Sequence, residues 1–200
     1  MNVRLKRSFD FYTGMVYDQE FSVNCYTLTV SMITQTSDVH MHNIAYERIK
    51  YWINYVLDNS ILISEFDPSL EKWMATEQRI LVLPDQPVDQ LVGIMLYLKL
   101  TAIIEEQFLI SEIEISSTNG DEMIYLHNAD ESLGPMDAKG WWNDAKPIWI
   151  NSTRKKSSTG KVIKLNRMPE WKELDLDFEI DKDDLDCEIL VGNFIKDDKK

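Results

Sequence analysis

Glu20-Phe21-Ser22-Val23-Asn24-Cys25-Tyr26-Thr27-Leu28-Thr29-Val30-Ser31-Met32-Ile33-Thr34-Gln35 is the stretch on which the fold turns. Tyr26, Leu28, Val30 and Met32 point one way and Thr27, Thr29 and Ser31 the other, the signature of a half-buried antiparallel strand. Upstream, Arg4 to Thr13 is a weaker strand, and Gly14 followed by Asp18 supplies a turn, so the two form a hairpin. Downstream the period changes. Ala45, Ile49, Trp52, Ile53 and Val56 share one helical face, which predicts a helix over 43–58 with Asn43 as its N-cap. A charged loop, Glu65 to Glu77, leads to a short strand candidate at Arg79 to Leu83. Pro87 then fits a first helical turn, and Val88, Leu91, Val92, Met95, Leu98 and Ala102 make an apolar stripe for a second helix over 87–106, which must lie on a sheet. Phe108 to Ser117 returns to alternation. Asn119-Gly120-Asp121 is a turn signal, and Glu122 to His127 closes a second hairpin. The order ββα(β)αββ predicts an α+β fold: an antiparallel sheet with both helices on one face.

That pattern fills residues 1–127, and 128–200 reads as a β-rich acidic extension. A hairpin is expected over 147–165, with the basic tip Arg154-Lys155-Lys156 between its strands. An acidic segment follows at 170–188, with ten acidic residues against Lys172 and Lys182. Within it Leu174, Leu176, Phe178 and Ile180 alternate with acids, which predicts an added strand laying its apolar side on a surface. The whole chain holds 21 Lys and Arg against 34 Asp and Glu, a formal charge of −13. Such a surface repels phosphate backbones and anionic lipid, so nucleic acid and membrane are not expected partners and a basic protein is. Cys25 and Cys187 are too few for a disulfide framework, which with the lack of a signal-peptide core behind MNVRLKR places the chain in the cytoplasm. Leu91 to Ile104, with Lys99 inside, is too short for the ~20 residues of a membrane span and reads as a buried helix.

With the element order in place, several short motifs resemble the tunnelling fold of the 6-pyruvoyl-tetrahydropterin synthase and 6-carboxytetrahydropterin synthase family, over residues 5–127. Ser22-Val23-Asn24-Cys25-Tyr26 stands where that family has a His-Gly-His-Asn-Tyr type motif, and Leu57-Asp58-Asn59-Ser60-Ile61-Leu62 where it has a Leu-Asp-His corner. Pro87-Val88-Asp89-Gln90-Leu91 is similar to its Pro-Thr-x-Glu-Asn-Leu helix start, and Ile113-Glu114-Ile115-Ser116-Ser117-Thr118 to its Val-x-Val-x-Glu-Thr strand end. The resemblance implies a homo-oligomer assembled edge strand to edge strand. It also implies what has been lost. The family's three zinc histidines fall on a first strand without histidine and on Ser22 and Asn24, and a hydroxyl and an amide are poor zinc ligands. Its proton-transferring histidine is Asn59, which does not titrate near neutral pH, and its pterin-anchoring carboxylate is Ser117. No metal, no other cofactor and no catalytic residue are expected.

Other candidates are weaker. His40-Met41-His42 would face one side of a strand and start a metal site with Asp38 or the distant His127, but reads better as a polar loop before the Asn43 cap. Cys25 has no local base, and Gly160-Lys161 lacks the first glycine and the following hydroxyl of a phosphate loop. Trp141, Trp142 and Trp149 read as core, with a recognition surface as the alternative. Three functions remain. The first is a catalytically degenerate pterin-synthase-like binding or scaffold module. The second is an active enzyme or binder of a pterin- or deazaguanine-like heterocycle, held by Ser22, Asn24, Asp58, Asn59, Ser117 and Thr118. The third is an acidic interaction factor, of a kind viruses encode, acting through 128–200.

Overall fold

The computed structural model describes residues 3–147 and 169–178. The hairpin expected over 147–165, Trp149, the Arg154–Lys156 tip and the acidic segment after Phe178 lie outside the described residues. β1 (Arg4–Tyr17) and β2 (Glu20–Thr34) form one long antiparallel hairpin. Its turn is made by Asp18 and Gln19, with φ of 49° and 67°, the paired positive φ that suits the twist of a tight hairpin. Gly14 is therefore no turn residue. It lies inside β1, where a Cβ would come within 2.5 Å of the Phe21 ring folded across it.

β5 (Phe108–Ser117) pairs with the other side of β2, and β6 (Tyr125–Asn128) with β5, both antiparallel. This is the predicted four-stranded core. Two further strands extend it on the β1 side, β3 (Ser60–Ser64) against β1 and β4 (Ile80–Leu83) against β3. The order is β4-β3-β1-β2-β5-β6, and both added pairings are parallel, so the sheet is mixed rather than wholly antiparallel. All five β3 residues are buried, so the strand shows no alternation by which the sequence would reveal it.

The first long helix, α1 (Val39–Tyr51), starts four residues before the expected Asn43 because Asp38 is the cap: its Oδ1 accepts from the His40 and Met41 amides at 2.9 and 3.3 Å. His40 and His42 thus lie in a helical first turn rather than on a strand. α1 runs on as a π-helical turn, Trp52–Leu57. A short α2 (Leu70–Met74) sits in the expected loop, and α3 spans Asp89–Ile104. Tyr26, Leu28, Val30, Met32, Ile113 and Ile115 share one core with Ile49, Trp52 and Ile53 of the first helix and Leu91, Val92 and Met95 of α3, so both long helices cover one face. The opposite face has its own small cluster, where Leu70, Trp73 and Met74 of α2 pack on Val16, Ile61, Ile63 and Ile80. Among the described residues no helix is long and apolar enough to cross a membrane.

The start of the extension folds back over the helices. Met136, Trp142 and Trp171, from three 3-10 turns, are buried in the main core, and Leu174, Leu176 and Phe178 pack against it. Of the apolar side expected of the acidic segment, Leu174, Leu176 and Phe178 are thus docked and Ile180 lies outside the described residues, but Trp171–Leu174 is a 3-10 turn and no strand forms in 169–178. Two buried cations fasten it. Lys99 Nζ of α3 donates to the carbonyls of Asp144 (2.5 Å), Lys146 (2.8 Å) and Trp141 (3.4 Å). Burial lowers the Lys99 pKa to about 8, with Asp144 opposing. Arg48 of α1 donates to Leu176 O (2.6 Å), Ile103 O (3.1 Å) and Glu105 Oε1 (2.8 Å), and its guanidinium lies 3.7 Å from the centre of the Phe178 ring.

Candidate functional site

At the end of the helix-covered face, where β2 begins and β5 ends, the apolar row gives way to hydroxyls and amides. Asn24 is at its centre, with no exposed surface. Its Oδ1 accepts from Thr118 Oγ1 (2.9 Å) and from the Asn119 amide (3.0 Å), and its Nδ2 donates to Met15 Sδ (3.1 Å). Thr118 Oγ1 also accepts from the Cys25 amide at 3.2 Å. Ser22, exposed, joins the group only through Asn119 Nδ2 at 3.2 Å. Four of the six sequence-predicted residues, Ser22, Asn24, Ser117 and Thr118, are therefore gathered here.

Asp58 and Asn59 are not part of that cluster. They sit across β1, where Asp58 Oδ1 accepts from the Tyr12 amide (2.9 Å) and the Asn59 amide donates to Tyr12 O (2.7 Å). Asn59 has φ of 59°, a left-handed conformation that asparagine tolerates better than most residues. The pair turns the chain from the π-helical turn into β3.

Ser117 stands where the resemblance places a lost carboxylate, yet a carboxylate is present. Asp89, in the first turn of α3, accepts from Ser117 Oγ at 2.9 and 2.8 Å through its two oxygens. Ser117 Oγ in turn accepts from the Gly120 amide at 3.1 Å. Gly120 is required there: a Cβ would come within 2.5 Å of Asp89 Oδ2. The positive φ values of that turn belong instead to Asp121 and Glu122. An acid in a helical first turn is a legible cap signal, but its partner lies 28 residues away and nothing local announces it. Tyr26 OH donates to Met15 Sδ at 3.0 Å, and burial pushes its phenol up, with the Asp89 carboxylate adding to the shift.

These residues do not fit zinc. In the strand register Met15 faces Ser22 and Thr13 faces Asn24, so the positions that the resemblance assigns to ligands offer a thioether, hydroxyls and an amide whose oxygen is fully used. His42 is engaged by Thr36 Oγ1 (3.0 Å) and the Phe108 ring, and His127 by the Tyr97 ring. Among the described residues no three His, Cys, Asp or Glu side chains gather as a metal site. Among the described residues, Ser60 Oγ, Thr13 Oγ1 and Trp52 Nε1 are buried without a hydrogen-bond partner of good geometry. Thr13 and Ser60 are register neighbours on β1 and β3.

No protein-family model matches the chain, and no curated protein matches it. Among solved structures, an uncharacterised protein of Wolinella succinogenes aligns over 65% of this chain and 99% of its own, with a TM-score of 0.50 and 13% identity. The 6-pyruvoyltetrahydropterin synthase of Plasmodium vivax, in a catalytic-residue mutant, aligns over 64% and 99% with a TM-score of 0.44 and 8% identity. That of Plasmodium falciparum aligns over 63% and 96%, at 0.42 and 12%. The first of these likenesses is one of fold alone, and nothing rests on the two weaker ones.

Proposed function

We propose that the chain is a non-catalytic module of pterin-synthase-like type, serving as a homo-oligomeric binding or scaffold unit in the cytoplasm. The observation that carries this reading is the bonding of Asn24. An amide that spends both acceptor sites on the 118–119 turn and a donor on Met15 holds two strands together and has no lone pair to offer a substrate or metal. Asn59 and Asp58 are likewise engaged in a turn. The amide of Asn24 and the hydroxyls of Ser22, Ser117 and Thr118 are not groups that serve as a general acid or base near neutral pH. For assembly, β6 presents an open edge among the described residues, flanked by Met123, Ile124 and Leu126, which are 75%, 61% and 47% exposed. Such an edge invites pairing with its own copy about a twofold axis.

One observation favours the second reading, a binder of a pterin- or deazaguanine-like heterocycle. Asp89 brings a carboxylate to the corner, and Ser60 Oγ, opposite Thr13 in the register, is buried and lacks a partner among the described residues. A thermal-shift panel of pterins and deazaguanines on the full-length protein separates the two. No compound is expected to raise the melting temperature. A saturable rise that Asp89→Asn abolishes would replace the scaffold reading with the binding one.

A further inference from the structure

The outer edge of β1 is only partly paired. β3 covers Thr13–Val16, and just beyond it the Asp58 carboxylate accepts from the Tyr12 amide while Tyr12 O accepts from the Asn59 amide. The N–H and C=O of Tyr12 therefore point away from β2. By the period of two, so do those of Arg4, Lys6, Ser8 and Asp10, which meet no strand among the described residues. This edge also runs against the charge of the molecule. In a chain of formal charge −13, the stretch Arg4–Asp10 holds Arg4, Lys6 and Arg7 against the single acid Asp10. Lys6 is paired with Glu114, but among the described residues Arg4 and Arg7 have no ion-pair partner. Leu5, Arg7 and Phe9, in register with Met32, Val30 and Leu28 of the core, lie on the helix side, where the Arg7 guanidinium is 5.8 Å from the centre of the Tyr46 ring. Arg4 lies on the opposite, open face, and Leu5 is 42% exposed.

We propose that this edge docks an extended acidic segment of another protein, which adds antiparallel to Arg4–Asp10 as a further strand of the sheet. The proposal goes beyond the proposed function and does not depend on it. Open backbone groups make the edge a template for strand addition, and the two unpaired arginines choose the partner by charge. In such a ladder Arg4, Lys6, Ser8 and Asp10 form the hydrogen-bonded pairs, and Leu5, Arg7 and Phe9 form the non-hydrogen-bonded pairs, whose side chains approach more closely. Directly opposed side chains share a face. The incoming segment therefore carries apolar residues opposite Phe9 and Leu5 and acids opposite Arg7 and Arg4, which from its N-terminus reads apolar, any, acid, any, apolar, acid. A second copy of this chain fits the edge less well. Twofold pairing centred on the stretch sets two Arg7 side chains directly against each other, and β6, Tyr125–Asn128, has no acid to offer either arginine.

Hydrogen exchange on the full-length protein at low salt tests this, with the end-blocked peptide Thr-Val-Thr-Glu-Thr-Ile-Glu as the probe. In the protein alone the amides of Lys6, Ser8 and Asp10 are expected to exchange at nearly unprotected rates, while those of Leu5, Arg7 and Phe9, bonded to β2, stay slow. Saturating peptide is expected to slow the first three at least about tenfold, and the same peptide with lysine in place of both glutamates is expected to leave them fast. Arg4→Glu alone, at an exposed position, should weaken the acidic peptide at least about threefold. Arg4→Glu combined with Arg7→Glu should reverse the preference between the two peptides, with the Leu5 and Phe9 amides still slow because the strand stays folded. Slow exchange at Lys6, Ser8 and Asp10 in the protein alone would overturn the proposal, assigning the edge to a second copy if the protection grows with protein concentration and to the chain itself if it does not. An absence of protection at about 1 mM acidic peptide, or protection that the charge reversal leaves unchanged, would overturn it equally.

Discussion

Asn24 sets the character of the corner at the residue scale, because a buried amide whose partners are fixed is expensive to remove. Asn24→Ala strips the Asn119 amide and the Thr118 hydroxyl of their acceptor, and the expected loss is about 2–3 kcal/mol of stability in urea unfolding. A loss under about 0.5 kcal/mol would mean that water replaces the amide at no cost. His127 makes a second residue-scale prediction. It is buried against Tyr97, with ring centroids 4.9 Å apart, and among the described residues neither ring nitrogen has a hydrogen-bond partner. Burial lowers its pKa, while Glu131, with an oxygen 3.6 Å from Nδ1, opposes. The unfolded chain therefore takes up this proton first as pH falls through about 6.5, and stability falls with it. Denaturation midpoints at pH 7.5 and 5.5 should differ in that direction, and His127→Phe should shrink the difference. The resemblance singles out Asn24 and Ser117, but what the two side chains do here could not be read from the sequence. The partners of Asn24 lie 94 and 95 residues away, and Asp89 does its work through contacts that only the fold creates.

At the scale of elements, periodicity was a good guide wherever one face is wet. β2, β5 and the first helix are legible for that reason; α3, with no exposed residue from Leu91 to Ile104, is legible instead as an apolar run of helical length, and β3 is not legible, because burial on both faces erases its alternation. Charge misled in another way. Arg48 and Lys99 look like the polar punctuation of amphipathic helices, yet both are buried and hold the returning chain by its carbonyls. Lys99→Met keeps most of the volume but orphans those carbonyls. The expected cost is about 2–4 kcal/mol, with faster amide exchange across residues 141–146 and little change in β1 and β2. Uniformly faster exchange over the whole protein would show instead that the strap and the sheet open as one unit.

For the whole molecule, the mixed six-stranded sheet leaves its helix-covered face sealed and its ends chemically different. β4 is guarded at Val82, whose carbonyl takes the Trp141 indole N–H at 2.8 Å, whereas β6 is flanked by exposed apolar side chains. Self-association through β6 predicts a light-scattering mass of about twice 23.4 kDa, and Leu126→Lys with Ile124→Lys should return it to one chain. A mass unchanged by the double substitution would move the interface elsewhere. The central claim is that the corner around Asn24 is a structural lock rather than a metal-dependent active centre. Elemental analysis of the full-length protein, purified without chelator and dialysed against zinc-free buffer, tests it most directly. The account predicts zinc far below one atom per chain, and a stable stoichiometry of one zinc per chain would contradict it.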